Sequence, residues 1–170
     1  SIDRDNLLVG PGSSQILMST AHAAGGPGTS AVFAENSFLL YSIITKMSRA
    51  QAIVVPLDDE LRHDVGALIR AVRKDTTVLY LCNPNNPTGT YIAPEEVDRI
   101  VAEVSSDVLV VVDEAYEEYV TAPGHRSAIP HALRHDNVVV MRTFSKIYGI
   151  AGLRVGYAVG RPETTMQLRR

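Results

Sequence analysis

A single cysteine, Cys82, among 170 residues excludes an internal disulfide framework. No apolar run approaches the length needed to cross a bilayer, so a membrane role is not expected. Positive charge is also in short supply. The 16 Lys and Arg are outnumbered by 19 Asp and Glu, and a net charge of -3 offers no broad basic field for nucleic acid. The opening residues lack the charged-then-apolar pattern of a secretory signal, and with the lone cysteine this gives the expectation of a cytoplasmic protein. Internal repeats, low-complexity tracts and clear linkers are missing too, so one domain is the default. What is present, 45% hydrophobic and 21% charged residues, is enough to bury a sizeable core.

Short apolar or β-branched runs alternate with stretches of helical period, the pattern of strands joined by crossover helices. Leu7–Val9, Ala52–Pro56, Thr77–Leu81, Val108–Val112, Val138–Met141 and Val155–Val159 read as strands covered on both faces, and Ala31–Ala34 as a further one. Gln15–Ala23, Phe38–Met47, Val65–Val72 and Pro94–Val104 read as helices. Asp64 can cap the third, while Pro94, Glu95 and Glu96 suit the first turn of the fourth. Thr121–Pro130 reads as a surface loop. The order predicts a layered αβα domain on a mostly parallel sheet, with ligands outside the carboxyl ends of the strands. Chemically capable residues should therefore follow strands.

Four polar segments do so. Lys146 lies in Arg142-Thr143-Phe144-Ser145-Lys146, with Arg154 two helical turns on. An amine among hydroxyls, with a guanidinium nearby, is what a phosphorylated aldehyde cofactor needs, although a lysine beside Ser and Thr is more often a solvated loop residue. Asn83-Pro84-Asn85-Asn86-Pro87-Thr88-Gly89 is at its plainest a tight loop after a buried strand. Asp113 ends the most apolar strand, where a carboxylate can cap the next segment or face a bound ring. Gly10-Pro11-Gly12-Ser13-Ser14 opens a helix after a strand. Gly12 permits close approach there, and the amides of Ser13 and Ser14 can face an anion. As a dinucleotide fingerprint this segment fails, because Gln15 occupies the third glycine position. No metal site is expected: His131 and His135 have helical spacing, but Ala132 stands where a zinc-protease helix needs its glutamate. Asp58-Asp59-Glu60 reads as an exposed loop and Cys82 as a small buried residue.

Taken together, Asn-Pro-Asn-Asn-Pro-Thr-Gly, Val-Asp-Glu-Ala-Tyr, Arg-Thr-Phe-Ser-Lys and Gly-Leu-Arg-Val-Gly-Tyr occur in one order from about Leu7 to Gly160. This resembles the fold-type I pyridoxal-phosphate enzymes of the aspartate aminotransferase superfamily, and within it the histidinol-phosphate and aromatic aminotransferases. The resemblance implies that Lys146 bonds the aldehyde of pyridoxal 5'-phosphate and carries the proton. Asp113 keeps the ring nitrogen protonated, and Asn86, often beside a cis proline (here Pro87), and Tyr116 donate to the phenolic oxygen. Thr143, Ser145 and Arg154, with Ser13 and Ser14, hold the phosphate. Phe38 occupies the position of the stacking ring, although Ala34-Glu35-Asn36-Ser37 departs from the usual Glu-Pro-Thr approach and a phenylalanine at helical spacing is more often core.

The implied activity is transamination between histidinol phosphate or an aromatic amino acid and 2-oxoglutarate, in a homodimer, with Lys146, Asp113 and Tyr116 as the catalytic set. The resemblance covers a cofactor-binding large domain. The family's N-terminal arm and its small domain, which bears the arginine that clamps the substrate carboxylate, are not matched, and the 170-residue chain alone is expected to be inactive. Two alternatives stay open at this stage: an amino acid decarboxylase of the same fold, and a non-catalytic cofactor-binding protein.

Overall fold

The computed structural model describes residues 2–169. Seven strands form one sheet: β1 (Leu7–Gly10), β2 (Ser30–Ala34), β3 (Gln51–Val55), β4 (Thr76–Cys82), β5 (Leu109–Asp113), β6 (Val138–Thr143) and β7 (Gly156–Val159). Six helices accompany them: α1 (Ser13–Ala24), α2 (Leu40–Met47), α3 (Val65–Ala71), α4 (Pro94–Glu103), α5 (Ile129–Ala132) and α6 (Pro162–Leu168). The strand order is β1-β7-β6-β5-β4-β2-β3, and only β7 runs against both of its neighbours. Its reversal has a local cause. Parallel neighbours need a crossover helix, whereas the link from β6 to β7 carries only the single 3-10 turn Ala151–Leu153, so the chain doubles back.

Successive strand residues point to opposite faces, and the core divides accordingly. Val110, Val112, Val138 and Val140 pack with Leu68, Ile100 and Ala132 under α3, α4 and α5. Val111, Val139, Met141, Tyr80 and Cys82 pack with Ile16, Leu17, Tyr41 and Ile44 under α1 and α2. The same alternation assigns the strand ends. Cys82, Asp113 and Thr143 continue the rows that face α1 and α2, and Glu114 and Arg142 fall on the other side.

Local signals act as expected at two helix starts. The Asp64 carboxylate accepts from the Ala67 amide at 2.8 Å, and Pro94 occupies the first turn of α4. Three expectations are corrected. Phe38 is not helical: it lies in the turn before α2, where Ser37 donates to Asn85 Oδ1 at 2.8 Å and holds the chain off the helical path. Val108 and Val155 stand just outside their strands. The stretch up to Pro130 is not all loop, because α5 begins at Ile129.

The tightest point lies where β7 meets the start of α1. A Cβ on Gly156 would sit 2.5 Å from the Ser13 amide nitrogen and 2.7 Å from the Gly12 carbonyl carbon, both backbone atoms that cannot swing away. Gly156→Ala is therefore expected to cost about 1–3 kcal/mol as overpacking, read as a lower urea midpoint. An unchanged midpoint would show that β7 and α1 have slack.

Candidate active site

Strand ends at one edge of the sheet build a cavity of about 130 Å³, and all ten residues singled out in the sequence line it. Cys82 and Ala115 complete the lining. Seven of them come from segments after β1, β2, β4, β5 and β6, and Asp113 and Thr143 are the last residues of β5 and β6. Arg154 is the exception: it precedes β7, and the reversed direction of that strand brings it to the same edge.

One pole of the cavity is acidic. Asp113 is only 2% exposed; its Oδ2 accepts from the Tyr41 hydroxyl at 3.1 Å and its Oδ1 from the Ala115 amide at 3.2 Å. Burial pushes the carboxyl up to about 6, with Glu114 adding to the rise, while the two hydrogen bonds and the Lys146 charge oppose it. Beside it, burial and then the Asp113 charge push the Cys82 thiol up to about 12, which keeps the sulfur protonated and unreactive.

The other pole is cationic. Gly12 has φ +82°, and a Cβ there would lie 2.5 Å from Arg154 Nη2, so glycine makes room for the guanidinium against the start of α1. Arg154 is itself left-handed at φ 52°, and its Nη1 donates to Ser145 Oγ at 3.3 Å and to the Ala151 carbonyl at 2.9 Å. Ser13 and Ser14 supply the free amides of the first turn, which contains no acidic residue to compete for them. Thr143 Oγ1 accepts from the Ser145 amide at 3.1 Å and so shapes the turn into Lys146.

Lys146, Tyr116, Asn86 and Phe38 complete the functional lining of the same cavity. The Lys146 amine is 4.9 Å from the centre of the Tyr116 ring. Asn86 is the asparagine that its loop leaves available. Asn83 is occupied with the Ile92 backbone and Asn85 with Thr88 and Asn36, and both are 4% exposed. The Asn83–Pro84 and Asn86–Pro87 peptides are both cis.

Three participants escaped the sequence reading. Tyr41 is one, since nothing local to α2 signals that its hydroxyl reaches β5. Glu114 and Arg142 are the others. On the far face of the sheet, Glu114 Oε2 accepts from Arg142 Nε at 3.0 Å and Nη2 at 2.8 Å, and Oε1 accepts from the Ala128 amide at 2.6 Å. This pair ties the ends of β5 and β6 together directly behind Asp113 and Thr143. The adjacent Asp113-Glu114 dipeptide was the available signal, because alternation sends one carboxylate to each face. A second hollow of about 550 Å³, bordered by Tyr91 and Tyr119, adjoins the cavity and shares Asn86 and Tyr116 with it.

A family model described as aminotransferase class I and II matches residues 1–170. The chain belongs to that family, whose members depend on pyridoxal phosphate. It is 44% identical over 169 residues to histidinol-phosphate aminotransferase 1 of Cupriavidus pinatubonensis, covering 99% of this chain and 45% of the relative. It is 43% identical to the aromatic amino acid aminotransferase of Cutibacterium acnes, again over 99% of this chain and 48% of the relative. Among solved structures, the histidinol-phosphate aminotransferase of Sinorhizobium meliloti in complex with pyridoxal-5'-phosphate superposes with a TM-score of 0.91 at 28% identity, covering 97% of this chain and 45% of that one. The chain thus spans about half the length of the curated relatives it matches. No helix among the described residues is long and apolar enough to cross a membrane.

The raised Asp113 carboxyl makes stability depend on pH. With the native value near 6 and the ordinary value 3.8, the folded state binds more protons between them. The penalty for the buried charge is therefore full above pH 6 and relieved as pH falls toward 3.8. In cofactor-free protein, the unfolding free energy of wild type minus that of Asp113→Asn should rise by roughly 2 kcal/mol from pH 7.5 to 4. A flat difference in urea titrations would contradict it.

Proposed function

We propose that this cavity holds pyridoxal 5'-phosphate and that the protein is an aminotransferase, with the chain forming its cofactor-binding large domain. The observation that carries this reading is that Asp113, Lys146 and Arg154 line one and the same cavity. The donor set suits the group. A phosphate dianion needs an always-charged fork, hydroxyls and helix-start amides, and Arg154, Ser145, Thr143, Ser13 and Ser14 offer them at one place. At the acidic end, a carboxylate already pushed up by burial gains most from a cation placed against it, as a protonated ring nitrogen would be.

When bound, the cofactor supplies an electron sink that makes the proton on the substrate's α-carbon removable. The chain's own residues do the rest. Lys146 would hold the aldehyde carbon, and its amine would be the group that takes up and returns that proton. Asn86 and Tyr116 would donate to the phenolic oxygen, Phe38 would cover a ring face, and Asp113 would keep the ring nitrogen protonated. The amino donors this reading favours are histidinol phosphate or an aromatic amino acid, with 2-oxoglutarate as acceptor and a homodimer as the working assembly. The names carried by the similar proteins from Cupriavidus and Cutibacterium support that choice. An L-threonine-O-3-phosphate decarboxylase from Porphyromonas gingivalis superposes at a TM-score of 0.79 and 27% identity, so product analysis belongs in the test.

Titrating the full-length protein with pyridoxal phosphate should produce a visible absorption band that borohydride bleaches, leaving the added mass on the peptide containing Lys146. Lys146→Ala should lose the band and the turnover. Label found on another lysine, or carbon dioxide released in place of a keto acid, would overturn the assignment of the lysine or of the reaction respectively.

A further inference from the structure

Tyr41 is a buried polar side chain that touches Asp113 and has no task in the proposed function. It is fully buried on α2, and its ring is fixed from several directions. Tyr80 stacks on it at 4.9 Å with the planes 6° apart, Phe38 meets it edge-on at 5.8 Å, and Phe33 is tilted against it at 6.2 Å. A ring held in this way has little freedom to swing its hydroxyl, which donates to Asp113 Oδ2. Burial first, and then the Asp113 charge, hold the Tyr41 phenol well above its ordinary value, so it is a neutral donor throughout the working pH range. Tyr80 is differently engaged. Its hydroxyl lies 3.3 Å from Thr20 Oγ1, which gives its own proton to the Leu17 carbonyl and so accepts from Tyr80.

Resting on the functional reading above, we infer that Tyr41 is a positioning residue: its stacked ring aims one hydroxyl at Asp113 and keeps that carboxylate ionised and oriented toward the cavity. The groups facing Asp113 define the need for it. From β4 comes the Cys82 thiol, which is protonated; from Asp113's own segment come Glu114, which repels the charge, and the Ala115 amide, which favours it; from the turn after β6 comes Lys146. Among the described residues, the Tyr41 hydroxyl and the Ala115 amide are the donors that hydrogen-bond the carboxylate. Because Phe38 packs on the same ring, Tyr41 also couples the wall of the cavity to its acidic pole.

The test is a carbon-13 NMR titration of the Asp113 carboxyl in cofactor-free, full-length protein, comparing wild type with Tyr41→Phe and Tyr80→Phe. Wild type should titrate near 6, Tyr41→Phe about one unit higher, and Tyr80→Phe with wild type, since it too loses one buried tyrosine hydroxyl but not the donor to Asp113. Pyridoxal phosphate affinity gives a second reading. Tyr41→Phe should bind roughly five-fold more weakly at pH 6, with the gap closing above pH 8 as Asp113 ionises in both proteins. An Asp113 midpoint unmoved in Tyr41→Phe, or moved equally in Tyr80→Phe, would overturn the inference. If wild type binds no pyridoxal phosphate, the functional reading fails whatever the NMR shows; if it binds and Tyr41→Phe follows the same pH curve, only the assignment of Tyr41 fails.

Discussion

A carboxylate buried at the end of the central strand is the constraint around which the site is arranged. An unpaired ion taken out of water costs several kcal/mol even after relaxation, and a folded chain keeps such a group only where donors or a counter-ion offset the loss. Asp113 has two neutral donors and, among the described residues, no ion pair, and its carboxyl is raised accordingly to about 6. Charges left partly uncompensated in a cleft are a feature of sites built to receive a partner, and the position between β4 and β6 allows that partner to come only from the cavity. Behind it, Glu114 is equally buried but fully engaged with Arg142, Ser127 and the Ala128 amide, so neighbouring carboxylates serve opposite ends. One braces the sheet and the other is held in reserve.

The cationic pole depends on a different economy, that of space. A helix start, a strand start and a guanidinium converge within van der Waals contact, and they can do so because Gly12 and Gly156 carry no side chain. The antiparallel run of β7 is part of the same device. Were β7 parallel to its neighbours, the segment before it would emerge at the opposite edge, and Arg154 would be a strand length away from Lys146. A short link carrying one 3-10 turn thus settles both the topology of the sheet and the location of the positive charge.

Much of this was legible in the sequence, for physical reasons that also explain the gaps. Strands covered on both faces carry near-continuous apolar runs, so β4, β5 and β6 announced themselves within a residue or two. The polar residues placed directly after them could only converge at one edge. Contacts between segments distant in the chain were not legible. Phe38 fits a helical period with α2, yet Ser37 is drawn to Asn85 across 48 residues and the turn replaces the helix. Tyr41 reads as one more apolar-face residue until Tyr80 and Asp113, from two different strands, are seen to enclose it. Arg154 was found by its neighbours in the motif, since the expectation that ligands follow strands holds only for strands that run with the rest.

Asp113 is the group placed to favour a positive charge on a nitrogen that enters the cavity. Nitrogen-15 NMR of the full-length protein loaded with ring-labelled pyridoxal phosphate tests this most directly. The ring nitrogen should stay protonated from pH 6 to 8.5 and lose that proton in Asp113→Asn. A wild-type ring nitrogen that is unprotonated at neutral pH would contradict it.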